Sequence, residues 1–288
     1  MGEKRVEITK VAVIGGGTMG SGIAEVCAKS GLDTIVMEPE AAAAEAAQAR
    51  INGSMDKAVA RGRLSEEDRA NTGALLSYTT DINALSDRDL VIEAIVENEQ
   101  IKLDLFKQLD EVTPEHCILA SNTSSIPLIN LGTATKRPER VLGLHFFNPA
   151  TVQKLCEIVV SIATDDAVVV ACEKFAQNTL GKETIKSKDR AGFIVNRLLV
   201  PYLLQAISLL DTGQVTAEDI DNGMMFGCAH PMGPLTLCDL IGLDTIKSVA
   251  DVLYEEFKEP TYAPPPKLKR MVAAGHLGRK TGKGFYNY

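Results

Sequence analysis

The sequence predicts an α/β protein, with a doubly wound sheet in its N-terminal two thirds and an all-helical domain after it. Short β-branched runs alternate with helical patterns as far as about residue 187, which is typical of a parallel sheet covered by helices. Beyond that point the strand patterns stop. We therefore expect two domains, 1–188 and 189–288, and a length of 288 residues is also about twice that of a usual domain.

The predicted strands of the first domain are short and largely apolar. They are expected at 11–14, 34–37, 90–94, 117–120, 141–144, 155–160 and 183–186. Helical patterns are expected at 21–30, 40–62, 101–109 and 166–178, with a polar hairpin-like extension as far as Gly73. This alternation predicts strands that run parallel, because each helix returns the chain to the same end of the sheet.

The second domain shows only helical patterns. They are expected at 193–210, 216–226, 234–256 and 268–274. The first of these is the longest apolar stretch in the chain, but Asn196, Arg197 and Gln205 interrupt it, and it is too short and too polar to cross a bilayer. We expect a helix buried in a homodimer interface, and a helix in a monomeric core remains the alternative.

Charge and composition limit the classes of function. The formal net charge is −8, which argues against a nucleic-acid partner because binding to phosphate backbones needs a basic surface. The first ten residues are charged and lead straight into a strand, so we expect a cytoplasmic protein with no membrane association. The six cysteines form no metal-binding spacing, and we expect them to be reduced core residues with no metal bound.

A glycine-rich motif marks a candidate dinucleotide site. Residues 15–20 read G-G-G-T-M-G, which has the form G-x-G-x-x-G, between a predicted strand and a predicted helix. In a Rossmann-type domain, Gly15 would permit the tight turn, Gly17 the approach of the pyrophosphate, and Gly20 close packing of helix on strand. Thr18 and Met19 would lie at the helix N-terminus, which favours anions. The alternative is a glycine turn in an α/β protein that binds no nucleotide.

Glu38 indicates which dinucleotide would bind. It ends the second predicted strand, 18 residues beyond Gly20, where an acidic residue accepts hydrogen bonds from the adenosine ribose. Its charge would repel a 2′-phosphate, and Pro39 and Glu40 provide no arginine to hold one. The sequence therefore favours NAD over NADP.

His145 is the histidine placed best for proton transfer. It follows the predicted strand 141–144, at the edge of the sheet where this architecture binds ligands. Imidazole titrates near neutral pH, which suits a general base. Glu157 lies in an apolar strand and needs a partner such as an imidazole, since an unpaired buried carboxylate is costly. The alternatives are a satisfied core histidine and a structural ion pair.

Six segments between Val11 and Tyr288 read, in order, VAVIGGGTMGSGIA, DLVIEAIVENEQIK, ILASNTSSIPL, RVLGLHFFNPATVQKLCEIV, DRAGFIVNRLLVPYLLQA and GRKTGKGFYNY. In sequence and order they resemble the L-3-hydroxyacyl-CoA dehydrogenases, especially the short bacterial 3-hydroxybutyryl-CoA dehydrogenases. The resemblance implies NAD-dependent interconversion of (S)-3-hydroxybutyryl-CoA, or another short 3-hydroxyacyl-CoA, and acetoacetyl-CoA or the corresponding 3-ketoacyl-CoA. A dehydrogenase of a hydroxy acid without CoA and an idle NAD-binding protein are the alternatives.

The resemblance also implies roles for catalytic residues. His145 would be the general base in alcohol oxidation and the acid in ketone reduction, and Glu157 would orient it. Ser124 would hydrogen-bond the 3-oxygen of the substrate near the nicotinamide. Asn196 would reach into the cleft beside His145, although a helix N-terminal cap is the alternative for this residue.

Further residues are implied in ligand binding. The cofactor set gains Glu97, Lys102, Asn122, Ser124, Asn148 and Lys280. A surface ion pair is the alternative for Glu97 and Lys102, and a solvated tail for Lys280. The set implied for coenzyme A is Ser54, Lys57 and Arg61, with Arg63 nearby, and a solvated basic face is the alternative. Many family members have aspartate where this chain has Glu38, and the longer side chain would loosen the preference for NAD.

Overall fold

The structure, a computed structural model, describes residues 7–288 and contains two compact units. The first unit ends at Asp189 and contains an eight-stranded sheet, and the second, Arg190–Tyr288, is helical. The predicted fold class is therefore confirmed. No helix in the described part of the chain is long and apolar enough to cross a membrane.

The strands of the first unit form a single sheet with the order β3-β2-β1-β4-β5-β6-β7-β8. Their bounds are β1 Lys10–Ile14, β2 Asp33–Met37, β3 Leu76–Thr79, β4 Leu90–Glu93, β5 Ile118–Ser121, β6 Val141–Phe146, β7 Leu155–Val160 and β8 Glu183–Lys188. The order of connection reverses between β1 and β4, and the crevice at such a reversal is where open α/β sheets bind ligands.

Strand β3 was not expected from the sequence. Its four residues, LSYT, are half-buried or exposed, so they lack the continuous apolar run of the central strands. The strand lies at the edge of the sheet and pairs only with β2. Backbone pairing to a neighbour, which single-sequence patterns do not report, makes this segment a strand.

The prediction of a wholly parallel sheet is wrong at one junction. Strands β6 and β7 pair antiparallel, whereas all the other neighbours are parallel. Only the loop 147–154 joins them, and a parallel pair needs a crossover of about a dozen residues or more. The short loop therefore forces the chain to turn back on itself.

Six α-helices cover this sheet in the part of the first unit that the structure describes. They are α1 Thr18–Lys29, α2 Ala41–Ala60, α3 Glu66–Ala74, α4 Glu99–Val112, α5 Leu128–Thr133 and α6 Asp166–Lys174, the last continued by a π-helical turn to Thr179. Helix α3 replaces the expected hairpin-like extension, and Ser65 caps it by accepting from the Asp68 N–H. Helix α5 was not expected either. Its cap is the Asp189 carboxylate, which accepts from Leu128 N and Ile129 N at 2.9 Å each.

The cysteines are all free, and five of them are buried. Burial raises the pKa of the Cys27 and Cys172 thiols to about 12, so these groups stay protonated and unreactive at neutral pH. Cys228 is exposed, and the prediction of a core position is wrong for this residue.

The second unit contains five α-helices in its described residues. They are α7 Val195–Asp211, α8 Ala217–Gly227, α9 Pro234–Ile241, α10 Leu243–Phe257 and α11 Pro266–Ala273. Leu203, Leu235 and Leu253 form part of its core. The single helix expected at 234–256 is in fact two, because Gly242 adopts a φ of +105° that a continuous helix does not allow.

Two buried aspartates hold the C-terminal segment of the second unit. Asp239 accepts hydrogen bonds from the backbone N–H groups of Phe285 and Tyr286 at 2.9 Å each. The Tyr286 hydroxyl donates to Asp221 at 2.9 Å, and Asp221 also accepts from Leu235 N at the start of α9. Burial and this neighbouring carboxylate raise the pKa of Tyr286. The phenol therefore stays a hydrogen-bond donor at physiological pH.

Candidate active site

The glycine-rich loop connects β1 to α1 at the reversal in strand order. Gly15 has a φ of +91°, and a Cβ there would lie 2.7 Å from the Ala94 carbonyl oxygen. A Cβ on Gly20 would lie 1.6 Å from the Gly15 carbonyl oxygen, which allows no side chain. At Gly17, by contrast, a Cβ would meet nothing within 4 Å. The fold itself therefore requires glycine at positions 15 and 20, whereas Gly17 faces open space.

Helix α1 begins in that open space. Gly17 is its N-cap and supplies no side-chain cap, and Thr18 and Met19 form the first turn. The first N–H groups of a helix have no partner within the helix and carry a partial positive charge. The loop and the helix start together provide backbone donors for a phosphate group.

Glu38 lies against the same loop. It follows β2, is half-buried, and accepts a hydrogen bond from Gly16 N at 2.5 Å. A ribose bound beside the loop would therefore meet a carboxylate that the backbone already holds in place.

A buried ion network lies beside the loop, where β4 and β5 end. Glu93 is fully buried, and Lys102 of α4 donates to both of its oxygens at 2.8 and 3.0 Å. Ser121 donates to Glu93 at 2.5 Å, and Ile95 N donates at 2.7 Å. Lys102 also pairs with Glu97 at 2.8 Å. The alternative of a surface ion pair for Lys102 is wrong, because this side chain is only 1% exposed.

Glu97 extends the network to the segment 123–125. Its carboxylate accepts from the Thr123 hydroxyl, from the Ser125 hydroxyl at 2.8 Å, and from Ser124 N at 3.1 Å. Burial opposes ionisation, but the Lys102 ammonium and these hydroxyl donors outweigh it and keep the pKa of Glu97 below its ordinary value. An ionised Glu97 therefore fixes the backbone that carries Ser124.

Asn122 and Ser124 differ in what their side chains do. The Asn122 Oδ1 accepts from Phe146 N at 2.8 Å and so joins the end of β5 to the end of β6. The half-buried Ser124 hydroxyl forms no hydrogen bond within residues 7–288. Ser124 is thus the side chain of this segment that has a hydroxyl to offer a ligand.

His145 and Glu157 form a hydrogen-bonded pair. They occupy directly opposite positions of β6 and β7, and their side chains therefore lie on the same face. The His145 Nδ1 lies 2.7 Å from Glu157 Oε2, with His145 6% exposed and Glu157 fully buried. The Phe147 ring centroid lies 4.7 Å from that of His145. The antiparallel turn brings together two residues that a parallel arrangement would have separated.

Other predicted residues lie elsewhere in the two units. Asn148 is exposed in the loop after β6. Lys280 bonds both oxygens of Asp244 at 2.6 Å, so it is not simply a solvated tail residue. Asn196 is the second residue of α7, whose N-cap is Ile194, and the helix-cap alternative is therefore wrong.

The residues implied in coenzyme A binding lie along and just beyond α2. Ser54 is half-buried on the helix and Lys57 is exposed. Arg61 is the C-cap of α2, and Arg63 follows it, both of them exposed. None of the three basic side chains forms an ion pair within the described part of the chain. They carry uncompensated positive charge on an acidic protein.

Family models match nearly the whole chain. The model described as "3-hydroxyacyl-CoA dehydrogenase, NAD binding domain" matches residues 10–190, and "3-hydroxyacyl-CoA dehydrogenase, C-terminal domain" matches 192–288. The chain belongs to the 3-hydroxyacyl-CoA dehydrogenase family. This dehydrogenase is 53% identical over 282 residues to a 3-hydroxybutyryl-CoA dehydrogenase of Mycobacterium tuberculosis, which covers 98% of the chain and 99% of the relative.

Solved structures agree with these matches. The crystal structure of M. tuberculosis FadB2 has a TM-score of 0.97 and 52% identity, and the alignment covers 98% of this chain and 99% of that one. The structure of (S)-3-hydroxybutyryl-CoA dehydrogenase from Ralstonia eutropha has a TM-score of 0.93, 42% identity and the same coverage. The predictions of the family, of an oxidoreductase and of NAD as its cofactor are confirmed.

The residues present in this dehydrogenase fit NAD. The open space above Gly17, the uncapped start of α1 and the carboxylate of Glu38 provide a phosphate cradle and a ribose acceptor next to each other. Sequence reasoning missed Glu93, although an acidic residue in the otherwise apolar strand LVIE was a signal for a buried pair. It also missed that Arg50 of α2 donates to the carbonyl oxygen of Gly16, a contact for which the local sequence offers no signal.

Replacing Lys102 by Met tests the buried network. The change leaves Glu93 buried with its main countercharge removed, and we expect the free energy of unfolding to fall by about 3–5 kcal/mol. Lys280→Met removes a half-exposed pair with Asp244 and is the matched control, with an expected loss of about 1 kcal/mol or less. Urea denaturation measures both variants. Equal losses in the two would contradict the interpretation, and Glu93→Gln/Lys102→Met should recover part of the stability.

Proposed function

We propose that this dehydrogenase interconverts (S)-3-hydroxybutyryl-CoA and acetoacetyl-CoA. The observation that carries the proposal is the buried His145–Glu157 pair, in the same unit and on the same sheet as the glycine loop. An oxidoreductase that acts on a secondary alcohol needs such a base, and the relatives with high identity are named 3-hydroxybutyryl-CoA dehydrogenases.

His145 moves the proton of the substrate hydroxyl. A carboxylate only accepts hydrogen bonds, so the Nδ1 of His145 carries the proton that it donates to Glu157. The lone pair of the neutral ring is then on Nε2, which takes the proton of the 3-hydroxyl during oxidation. In reduction, the imidazolium returns a proton from Nε2 to the 3-oxygen.

Glu157 positions the ring and stabilises its charged form. The full burial of Glu157 weakens solvent screening, so its negative charge acts strongly on an imidazolium 2.7 Å away. It also fixes the tautomer that leaves Nε2 as the base. We assign Glu157 to this positioning role and His145 to proton transfer.

Most of the residues that we assign to cofactor binding follow the C-terminal ends of parallel strands. Gly15, Gly17, Thr18, Met19 and Gly20 would hold the diphosphate of NAD, and Glu38 the adenosine ribose. Bound NAD supplies the hydride acceptor for oxidation, and NADH the donor for reduction. Glu97, Lys102 and Asn122 would act largely by holding the surrounding backbone, because their charged or carbonyl atoms already have protein partners. We also assign Asn148 and Lys280 to cofactor binding.

Three assignments concern the substrate. The Ser124 hydroxyl would donate to the 3-oxygen, which places it among the residues that act on the reacting atoms. Asn196 would also contact the substrate. Ser54, Lys57 and Arg61 would hold the phosphates of coenzyme A, since the unpaired basic groups of α2 supply the local positive charge that the net charge of −8 conceals.

A cytoplasmic homodimer is the form that we propose for the enzyme. All six cysteines are free thiols, as expected in a reducing compartment. In the second unit, several large apolar side chains are exposed, including Phe226 at 81% and Leu198 at 72%. Exposed apolar side chains of this size on a helical unit favour a second copy of the chain as the covering partner.

Substitution of His145 tests the proton-transfer role. We expect His145→Gln to lower kcat for acetoacetyl-CoA reduction by roughly 100- to 10,000-fold, because general acid–base catalysis is lost. The dissociation constant for NADH should change little, since His145 does not belong to the dinucleotide loop. His116→Gln is the control, because His116 is exposed and paired with Asp89 outside the candidate site. A His145→Gln enzyme with wild-type kcat would refute the mechanism.

The coenzyme A half of the substrate can be tested separately. With NADH, we expect turnover of acetoacetyl-CoA and very little turnover of free acetoacetate. Lys57→Gln/Arg61→Gln should raise KM for the thioester, and leave kcat nearly unchanged, because these groups lie on α2 and not in the His145–Glu157 pair. Arg270→Gln, a change of charge on helix α11 of the second unit, is the control. Equal turnover of the free acid would favour a hydroxy-acid dehydrogenase instead.

The association state tests the apolar surface of the second unit. We expect light scattering coupled to size-exclusion chromatography to give twice the chain mass of 31.0 kDa. Phe226→Lys should shift the protein toward the monomer, because it buries a charge in the proposed interface. Val152→Lys, at another exposed apolar residue in the first unit, is the control. A wild-type protein that stays monomeric at micromolar concentration would contradict the proposal.

A further inference from the structure

An arginine outside the predicted site lies against the glycine-rich loop. Arg50, on α2, donates from Nη1 to the carbonyl oxygen of Gly16. The same nitrogen lies 3.4 Å from the hydroxyl of Ser21, which donates to that carbonyl oxygen at 2.6 Å. The guanidinium is therefore held beside the loop that the dinucleotide would occupy.

Two opposite charges flank Gly16. Its N–H donates to Glu38, and its carbonyl accepts from Arg50. Helix α2 packs tightly at this point, since a Cβ on Gly16 would lie only 2.3 Å from the Cβ of Ala47. Arg50 lies about one turn beyond Ala47 on α2, so this close packing sets where the Arg50 side chain reaches the loop.

Most of the hydrogen-bonding capacity of Arg50 is unused. A guanidinium has five N–H donors, and those on Nε and Nη2 form no hydrogen bond within residues 7–288. Arg50 also forms no ion pair in that part of the chain, and its side chain is exposed. The loop is thus bordered by an uncompensated positive charge with donors to spare.

We propose that Arg50 binds a phosphate group of a nucleotide ligand at the ribose side of the glycine loop. Its fork of N–H donors matches phosphate oxygens, and an arginine near the acidic residue after β2 is the arrangement that accommodates a 2′-phosphate. The proposal rests on nucleotide binding by the proposed dehydrogenase. It revises the inference from Pro39 and Glu40, because the arginine comes from α2 and not from the end of β2.

The phosphate group that Arg50 binds has three candidate sources. One is the 2′-phosphate of NADPH, which would make the enzyme accept both dinucleotides despite Glu38. Another is the diphosphate common to NADH and NADPH. The third is coenzyme A, because Ser54, Lys57 and Arg61 follow Arg50 at intervals of about one helical turn, on the same face of α2.

Equilibrium binding to the purified full chain distinguishes these sources without turnover. NADH and NADPH are titrated by nucleotide fluorescence and free coenzyme A by calorimetry, for the wild type, Arg50→Met and Arg50→Gln. The shorter glutamine retains an N–H donor but removes the charge, so it tests charge as well as contact. Arg140→Met is the control, since Arg140 also donates to a main-chain carbonyl, that of His116, away from the loop.

We expect both Arg50 variants to weaken at least one ligand by roughly 10- to 100-fold, as for a lost hydrogen bond to a charged group. A loss for NADPH alone identifies the 2′-phosphate, an equal loss for both dinucleotides the diphosphate, and a loss for coenzyme A alone its phosphates. Arg50→Lys should recover part of the affinity because it restores the charge.

The proposal is overturned if all three constants for Arg50→Gln stay within twofold of the wild type, or if Arg140→Met weakens the same ligand equally. Thermal denaturation without ligand shows whether each variant is folded. If Arg50→Met fails to fold, the ligand affinities of Arg50→Lys, which keeps the charge, and Arg50→Gln, which removes it, are compared instead. Failure of the His145 mechanism would appear as unchanged turnover in His145→Gln and would leave these binding constants as they are.

Discussion

The Glu93–Lys102 pair is the interaction on which the cofactor side of the molecule depends. A carboxylate with no solvent exposure at the end of β4 is tolerated only because Lys102, Ser121 and Ile95 satisfy it. The ammonium that neutralises it also holds Glu97, which in turn binds the segment carrying Ser124. Strands β4 and β5 and helix α4 therefore have fixed positions next to the glycine loop.

The His145–Glu157 pair depends on a different constraint, which is the antiparallel pairing of β6 with β7. Because the connecting loop 147–154 is too short for a crossover, the chain reverses and sets Glu157 directly across from His145. Direct pairing places the two side chains side by side on one face of the sheet, so the Glu157 carboxylate reaches the ring. The parallel strands carry the glycine loop, and the one departure from parallel order sets His145 against Glu157.

Cationic side chains in this protein form a local group that the net charge of the chain does not reveal. The chain is acidic, yet Arg50, Lys57 and Arg61 present cationic groups along and at the end of α2, without ion pairs in the described residues. Lys102 and Lys280, by contrast, are among the lysines that have acidic partners, and Lys102 holds Glu97 in place. The unpaired cations are therefore the ones suited to phosphate ligands, because a paired cation would have to give up its partner first.

By itself the sequence determined the α/β class, the glycine motif, the Glu38 position and the family, because each is a local pattern of residue types and spacings. It also predicted a partner for Glu157, since an unpaired buried carboxylate is costly. Tertiary structure alone decided that β3 completes the sheet, that Asp189 caps α5, that Lys102 is buried, and that Arg50 reaches Gly16. Those features depend on contacts between residues distant in the chain, and a local pattern does not encode which distant groups meet.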